Sequence, residues 1–359
     1  MSPLEQIKPQ VRAMKPYTLT PHEVAHKMNQ NENPLGFPEA LKDEVLARMR
    51  QQDWARYPDF HSAELTEALA RHIGLSPSQV IVGNGSNELI YSTLAVTVGP
   101  GDAVVIPVPT FSVYKLIATV LGATVHEVLM QAEDNFALPT EQVLALAQAE
   151  RARIVVLCSP NNPTAQSYSL AEIRRLCAES GALILLDEAY QEFSAQNLRG
   201  LLDEFPNVVL LRTFSKAMAM GGLRAGYALT SEVLAQEIRK GQLPYALNSF
   251  TATAAVVALE NMALFEEQIA LIRAERERLF AGLVALSFAQ PVPSDANFIL
   301  IRFEGHTPQA IFDHLLARGI LVRDVSASPG LAGYLRLTVG APHENDALLA
   351  ALGELAQGP

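Results

Sequence analysis

The chain has little cysteine, no long apolar run and no excess of positive charge, and each shortage removes a class of function. Its 359 residues include two cysteines, Cys158 and Cys177, both in apolar or helical surroundings with no metal-ligand spacing. That pattern argues against a disulfide framework or a metal module and predicts reduced core thiols. No stretch approaches the roughly 18 uninterrupted apolar residues of a membrane span. The opening MSPLEQIKPQVRAMKPY lacks the apolar core of a signal peptide, so a cytoplasmic protein is expected. The net charge is -11. A generic nucleic-acid binder, which needs a basic face to neutralise phosphates, is therefore not expected. A small anionic substrate stays open, because a few local arginines can hold one against the global field. Neither an internal repeat nor a low-complexity tract is evident, and His126, His306 and His343 sit in no motif and read as surface or packing residues.

What is present is a globular composition with ample core, 49% hydrophobic and 18% charged, in a length that suggests about two domains. Short apolar runs recur: QVIVG from Gln79, AVVIP from Ala103, RIVVLCSP from Arg153, ALILLDEAY from Ala182, NVVLLRTFS from Asn207 and AGYAL from Ala225. They are continuous rather than alternating, which suits strands buried on both faces of a largely parallel sheet. Between them, LPTEQVLALAQAE and SLAEIRRLCAES open with Thr or Ser near Glu and then take helical spacing. The centre is thus expected to be an open α/β sheet flanked by helices. From about Pro244 a long Ala- and Glu-rich helical stretch begins, followed by ANFILIRF, ILVRDV and YLRLTVG, strand-like pieces of a smaller α+β unit. The expected division is an arm over residues 1–35 that joins the small domain, a large domain over 36–259 and a small domain over 260–359.

In open α/β sheets ligands bind beyond the carboxyl ends of the strands. The residues there are Gly83-Asn84-Gly85-Ser86-Asn87-Glu88, Pro109-Thr110-Phe111, Ser159-Pro160-Asn161-Asn162-Pro163, Asp187-Glu188-Ala189-Tyr190 and Ser215-Lys216. Each has an ordinary reading. GNGSN is a common kind of turn, and it fails the dinucleotide fingerprint because Glu88 stands where glycine is required. It still offers backbone N–H groups at a helix N-terminus, which suit a phosphate. Asn162-Pro163 alone is a turn signal. Asp187 alone could cap a helix or sit in a salt bridge, Lys216 alone could be solvated, Gly221-Gly222 could be a flexible loop and Arg224 a surface residue. Their conjunction is harder to explain, and a lysine behind a buried run must be paired, neutralised or covalently used.

NNPTA, DEAY and TFSKAMAMGGLRAGY, in this order and spacing, resemble the fold-type I aminotransferases that use pyridoxal 5'-phosphate (PLP), and the resemblance spans nearly the whole chain. NQNENPLG, RYPD, SDANFILIRF and GILVRDV…YLRLTVG are similar to the histidinol-phosphate aminotransferase branch, although aromatic aminotransferases and a threonine-phosphate decarboxylase share several of them. The resemblance implies that Lys216 binds the PLP aldehyde covalently. It implies that Ser215, Arg224 and the backbone N–H groups of Gly85, Ser86 and Asn87 hold the cofactor phosphate, and that Phe111 lies over the ring. Asn162 and Tyr190 are implied for the ring's phenolic oxygen. Asp187 is implied at the ring nitrogen, where a carboxylate keeps that nitrogen protonated and the ring an electron sink. Tyr57 is implied at the phosphate of a neighbouring subunit, hence a homodimer with shared sites. No metal ligand set is implied.

For the substrate, Arg323 and Arg336 each follow an apolar strand-like run, as LVRDV and YLRLTV. Most arginines are surface residues, but a guanidinium fork among apolar neighbours favours an inward role toward carboxylate or phosphate. The resemblance assigns Arg336 to the carboxylate of glutamate and the phosphate of histidinol phosphate, Arg323 to a second positive charge, and Tyr17 to a substrate contact. The implied activity is transamination between L-histidinol phosphate and 2-oxoglutarate. Aromatic transamination or decarboxylation of a phosphorylated amino acid on the same scaffold stays open. A nucleotide-dependent dehydrogenase is disfavoured by the failed fingerprint, and a DNA-binding sensor by acidity and the short arm. The chain departs from the family at Ala165, where glycine is usual after Asn-Pro-Thr; a positive φ there carries a strain cost.

Overall fold

The computed structural model describes residues 2–16 and 20–355. In chain order the first strands are β1 (His26–Lys27), β2 (Val80–Gly83), β3 (Ala103–Val108), β4 (Thr124–Leu129), β5 (Ile154–Cys158), β6 (Leu183–Asp187), β7 (Val208–Thr213) and β8 (Gly226–Thr230). They are followed by β9 (Ala289–Pro291), β10 (Phe298–Phe303), β11 (Ile320–Leu321), β12 (Arg323–Asp324) and β13 (Tyr334–Thr338). The six apolar runs are all strands. A seven-stranded sheet has the order β2-β8-β7-β6-β5-β3-β4. It is parallel except for β8, which runs against both β2 and β7.

Continuous apolar strands bury both faces because successive side chains point to opposite sides. Val155, Leu157, Ile184, Leu186, Val208 and Leu210 enter the larger core on one face. Their neighbours Ile154, Val156, Leu185, Val209 and Leu211 enter a second core on the other. The edge strand β4 was not among the expected strands. Its sequence TVHEVL mixes charged and apolar residues and is mostly exposed or half-buried, so it lacks the doubly buried signature.

Of the two expected helix starts, Ser169 forms a capping box with Glu172 ahead of helix Leu170–Glu179. The other start is shifted. Pro139 occupies the cap, Thr140 is the first helical residue, and its hydroxyl donates to Leu138 O instead. The long helical stretch is two helices, Ser249–Glu260 and Met262–Val284, separated at Asn261, which leaves helical geometry at φ -121° and ψ 33°. Beyond them lies a four-stranded antiparallel sheet in the order β12-β13-β10-β9. The arm reaches this unit through β1, which pairs in parallel with β11. Near its beginning it also touches the large sheet's helices, where Lys8 Nζ donates to Val120 O at 3.0 Å. None of the described helices is long and apolar enough to cross a membrane.

Ala165 is fully buried and has φ +70°, so the expected strain is present. An alanine in the left-handed region costs about 1–2 kcal/mol. Replacing it with glycine removes that cost but loses a buried methyl worth about 0.8 kcal/mol and adds chain entropy on unfolding of about 0.5–1 kcal/mol. The terms nearly cancel. Ala165→Gly is therefore expected to leave the melting temperature within about 3 °C of the parent, as thermal unfolding monitored by circular dichroism checks.

Candidate active site

The carboxyl ends of β2, β3, β5, β6 and β7 share one edge of the large sheet. Because β8 is reversed, its first residue, Gly226, lies at that edge too, in register with Gly83 on one side and Thr213 on the other. Facing this edge is a cleft of about 330 Å³. Ser86, Asn87, Phe111, Asn162, Asp187, Tyr190, Ser215, Lys216, Arg224, Arg323 and Arg336 all line it. Gly85 sits directly behind, as the cap of helix Ser86–Thr97. Tyr57 is elsewhere: it is 81% exposed and stacks on Tyr245 with ring centroids 4.6 Å apart. Tyr17 lies outside the described residues.

The cleft has an anion-binding end. The N-terminus of helix Ser86–Thr97 opens onto it through Ser86 and Asn87, bringing a positive dipole end. Arg224, itself at φ +62°, lies against this turn. Its Nη1 donates to Ser215 Oγ at 3.2 Å and to Gly221 O at 3.0 Å. Two glycines make room. A Cβ on Gly85, whose φ is +80°, would sit 2.6 Å from Arg224 Nη2. A Cβ on Gly226 would collide with Ser86 N and lie 2.7 Å from Gly85 C. This approach of β8 to the helix turn thus requires the absence of side chains.

Asp187, which also lines the cleft, is buried at the tip of β6. Its Oδ2 accepts from Tyr114 Oη at 2.7 Å and its Oδ1 from Ala189 N at 3.0 Å. Burial pushes its pKa up to about 6, against the opposing pull of these two donors. Tyr114 was not singled out in the sequence, where it reads as one more aromatic in a helix; the cue was its place three residues after Phe111, which it meets edge-on at 5.6 Å. Cys158 also lines the cleft. Burial raises its thiol to about 12, so it is inert there, as expected for a core thiol.

Lys216 lines the same cleft. Its Nζ donates to Gln30 O at 2.8 Å. Burial is the main cause that lowers its pKa to about 7, with Arg336 next and Arg224 behind it, while Glu32 opposes. Among the cationic neighbours Arg336 thus outweighs Arg224, the one expected from sequence. An amine half-neutral at pH 7 can act as nucleophile or base.

Arg323 and Arg336 are direct cross-strand partners in the β12–β13 pair, and both face the cleft. Arg336 Nη1 donates to Asn162 Oδ1 at 2.6 Å and Nη2 to Asn29 O at 2.7 Å, while its guanidinium lies 5.3 Å over the Phe298 ring. The arm thus contributes Asn29, Gln30 and Asn31 to the cleft, residues that the sequence showed only as part of a motif. Away from these arginines, His343 lies near His26 and Glu344, and the two imidazole rings meet edge-on with centroids 5.9 Å apart.

The donor set suits PLP. An anion-binding turn would suit its phosphate, a buried carboxylate in need of a positive partner would suit its ring nitrogen, and a neutral-leaning amine in the same cleft would suit its aldehyde. Comparison with known proteins agrees. The family described as aminotransferase class I and II matches residues 25–354. A histidinol-phosphate aminotransferase of Chlorobium luteolum is 41% identical over 331 residues, 92% of each chain. The crystal structure of a histidinol-phosphate aminotransferase from Sinorhizobium meliloti in complex with pyridoxal-5'-phosphate is similar with a TM-score of 0.86 and 26% identity, covering 98% of both chains. An L-threonine-O-3-phosphate decarboxylase from Porphyromonas gingivalis shares the fold at a TM-score of 0.80 and 22% identity, covering 92% of this chain and 99% of its own. The chain belongs to the class I and II aminotransferase family, PLP-dependent enzymes of fold type I.

Proposed function

We propose that this aminotransferase moves the amino group of L-histidinol phosphate to 2-oxoglutarate, giving imidazole acetol phosphate and L-glutamate, a step of histidine biosynthesis. The observation that carries the substrate assignment is the facing pair Arg323 and Arg336 at the cleft that also holds Lys216 and Asp187. Histidinol phosphate brings a dianionic phosphate and glutamate brings carboxylates. Two guanidinium groups side by side serve both, one partner at a time. The relatives' shared name supports the same substrate.

In this reading Gly85, Ser86 and Asn87 (through backbone N–H groups), Ser215 and Arg224 hold the cofactor phosphate, Phe111 covers the ring, and Asp187 sits at the ring nitrogen. Asn162, whose Oδ1 is taken by Arg336, turns its N–H2 to the phenolic oxygen, as Tyr190 turns its hydroxyl. Bound PLP supplies an aldehyde for amine exchange and a ring that accepts the electron pair left at the substrate Cα. Lys216 Nζ is the base that removes the Cα proton, and its low pKa keeps it able to do so near neutral pH. Arg336 orients the substrate so that this proton faces Nζ. Tyr57 serves the cofactor phosphate of a second copy, in a homodimer with shared sites, and Tyr17 touches the substrate. The arm is residues 1–35, the large domain 36–259 and the small domain 260–359, with the break at Asn261 beside that last boundary. The site of action is the cytoplasm.

The test is the visible spectrum of the PLP-loaded enzyme. Adding histidinol phosphate without acceptor is expected to bleach the long-wavelength band, and 2-oxoglutarate is expected to restore it. Bleaching by aromatic amino acids alone points to the aromatic alternative. Carbon dioxide release from O-phospho-L-threonine, with no response to histidinol phosphate, points to decarboxylation.

A further inference from the structure

Tyr190 is buried at the cleft, and its hydroxyl has one proton to give and two lone pairs to receive with. Asn31 Nδ2 donates to that hydroxyl at 3.0 Å. The orientation of the Asn31 amide is set on its other side. Thr338 Oγ1 donates to Asn31 Oδ1 at 3.1 Å and accepts from Asn31 N at 3.0 Å, so the threonine acts as donor and acceptor at once. The Asn31 carbonyl accepts from Asn297 Nδ2 at 3.1 Å. Asn31 is 1% exposed, and its backbone lies in the left-handed region at φ +55°. Asparagine tolerates that region better than most residues. Every polar group of Asn31 is thus committed, and the commitments run from β13 through the arm to the cleft.

We infer that Asn31 is a positioning residue: by donating to Tyr190 it keeps the phenol a donor toward the cleft rather than toward the protein. The inference rests on the proposed reading of Tyr190 as a donor to the cofactor's phenolic oxygen. A neutral amide that accepted from Tyr190 instead would take the proton away from the ring. The Thr338 hydroxyl opposes that reversal, because the Asn31 oxygen is already its acceptor. The polarity of the Thr338–Asn31–Tyr190 chain therefore belongs to the acid–base chemistry of the site, with Asn31 acting through the Tyr190 hydroxyl.

The test uses the PLP-loaded enzyme and the pH titration of its visible band in the parent, Asn31→Asp, Tyr190→Phe and the double variant. Aspartate keeps the shape and the backbone conformation but accepts where asparagine donates. A hydrogen bond into the phenolic oxygen stabilises the deprotonated chromophore, so its loss raises the band's pKa. Asn31→Asp is expected to raise it by about one unit, a tenfold change in proton affinity. In the Tyr190→Phe background the same substitution is expected to shift it by less than half as much, because residues acting through one network are not additive. Asn31→Gly, which suits the positive φ and removes the side chain, is expected to give a smaller rise that also vanishes without the Tyr190 hydroxyl. Titration unchanged in both Asn31 variants overturns the inference. So does an equal shift with and without the hydroxyl, which marks a through-space charge effect. A parent enzyme with no visible band when saturated with PLP overturns the functional reading itself and this inference with it.

Discussion

Replacing Lys216 with alanine is expected to eliminate the visible band of the PLP-loaded protein and to reduce kcat by at least about 10⁴-fold, the upper range for loss of a positioned acid–base group. Absorption spectra and steady-state rates check both. The expectation follows from the environment of the amine, not only from its motif. Burial and the nearby Arg336 hold its pKa at about 7, so a large neutral fraction exists where an exposed lysine would be charged. Lys216→Arg is expected to be as inactive, since guanidinium does not lose its proton.

The same shift has a stability cost with a definite sign. The folded-state pKa is below the unfolded value of 10.5, so between about pH 7 and 10.5 the unfolded chain binds more protons at this site. The penalty is full below about pH 7 and fades as pH rises toward 10.5. The cofactor-free Lys216→Met variant is accordingly expected to melt above the cofactor-free parent at pH 7, with the gap narrowing at pH 10. An unchanged or lower melting temperature at pH 7 contradicts the picture of a destabilised amine.

Asp187→Asn is expected to retain cofactor yet lose most turnover, by about 10²-fold or more in kcat, comparable to removing one preorganised electrostatic contact. Asparagine fills the same space but cannot hold a proton on the ring nitrogen. Burial keeps the Asp187 pKa near 6. A cationic ring nitrogen against it lowers that value and favours the carboxylate. By linkage, the parent's affinity for PLP should weaken relative to the variant's as pH falls through about 6, because a protonated Asp187 no longer pairs with the ring. Measuring PLP affinity against pH in both proteins cancels the titration of the cofactor's own phosphate. Normal turnover in the variant, or parallel pH profiles, contradicts the assignment.

The strands were legible because burial on both faces demands continuous apolar runs, which survive in a linear reading. β4 was not, because at a sheet edge half its residues face water and its pattern blurs. The helix break at Asn261 was hidden by uninterrupted helical composition on both sides. In the cleft, residues directly behind strand ends were legible: Asp187, Lys216 and Asn162 stand where the polypeptide leaves the sheet. Asn29, Gln30 and Asn31 were not legible as contacts, since their partners Arg336, Lys216 and Tyr190 lie more than 150 positions away. Tyr114 was missed for a similar reason, its hydroxyl meeting Asp187 only after β3 and β6 are both in place. Tyr57 exposes the limit of a single chain, because the phosphate it is proposed to reach belongs to another copy.

The reversed strand β8 places Lys216, Ser215 and Arg224 on a single loop pinned at both ends by the Thr213–Gly226 pair. Arg323 and Arg336 are carried by a different sheet, which meets that loop's cleft through Asn162 and the arm. On the proposed assignment, the lysine loop that handles the cofactor and the arginines that choose the substrate therefore lie on separate pieces of chain. Substitutions around β12 and β13 can retune which anion is accepted while the lysine loop stays untouched, so a lineage could change its amino donor without reinventing its chemistry.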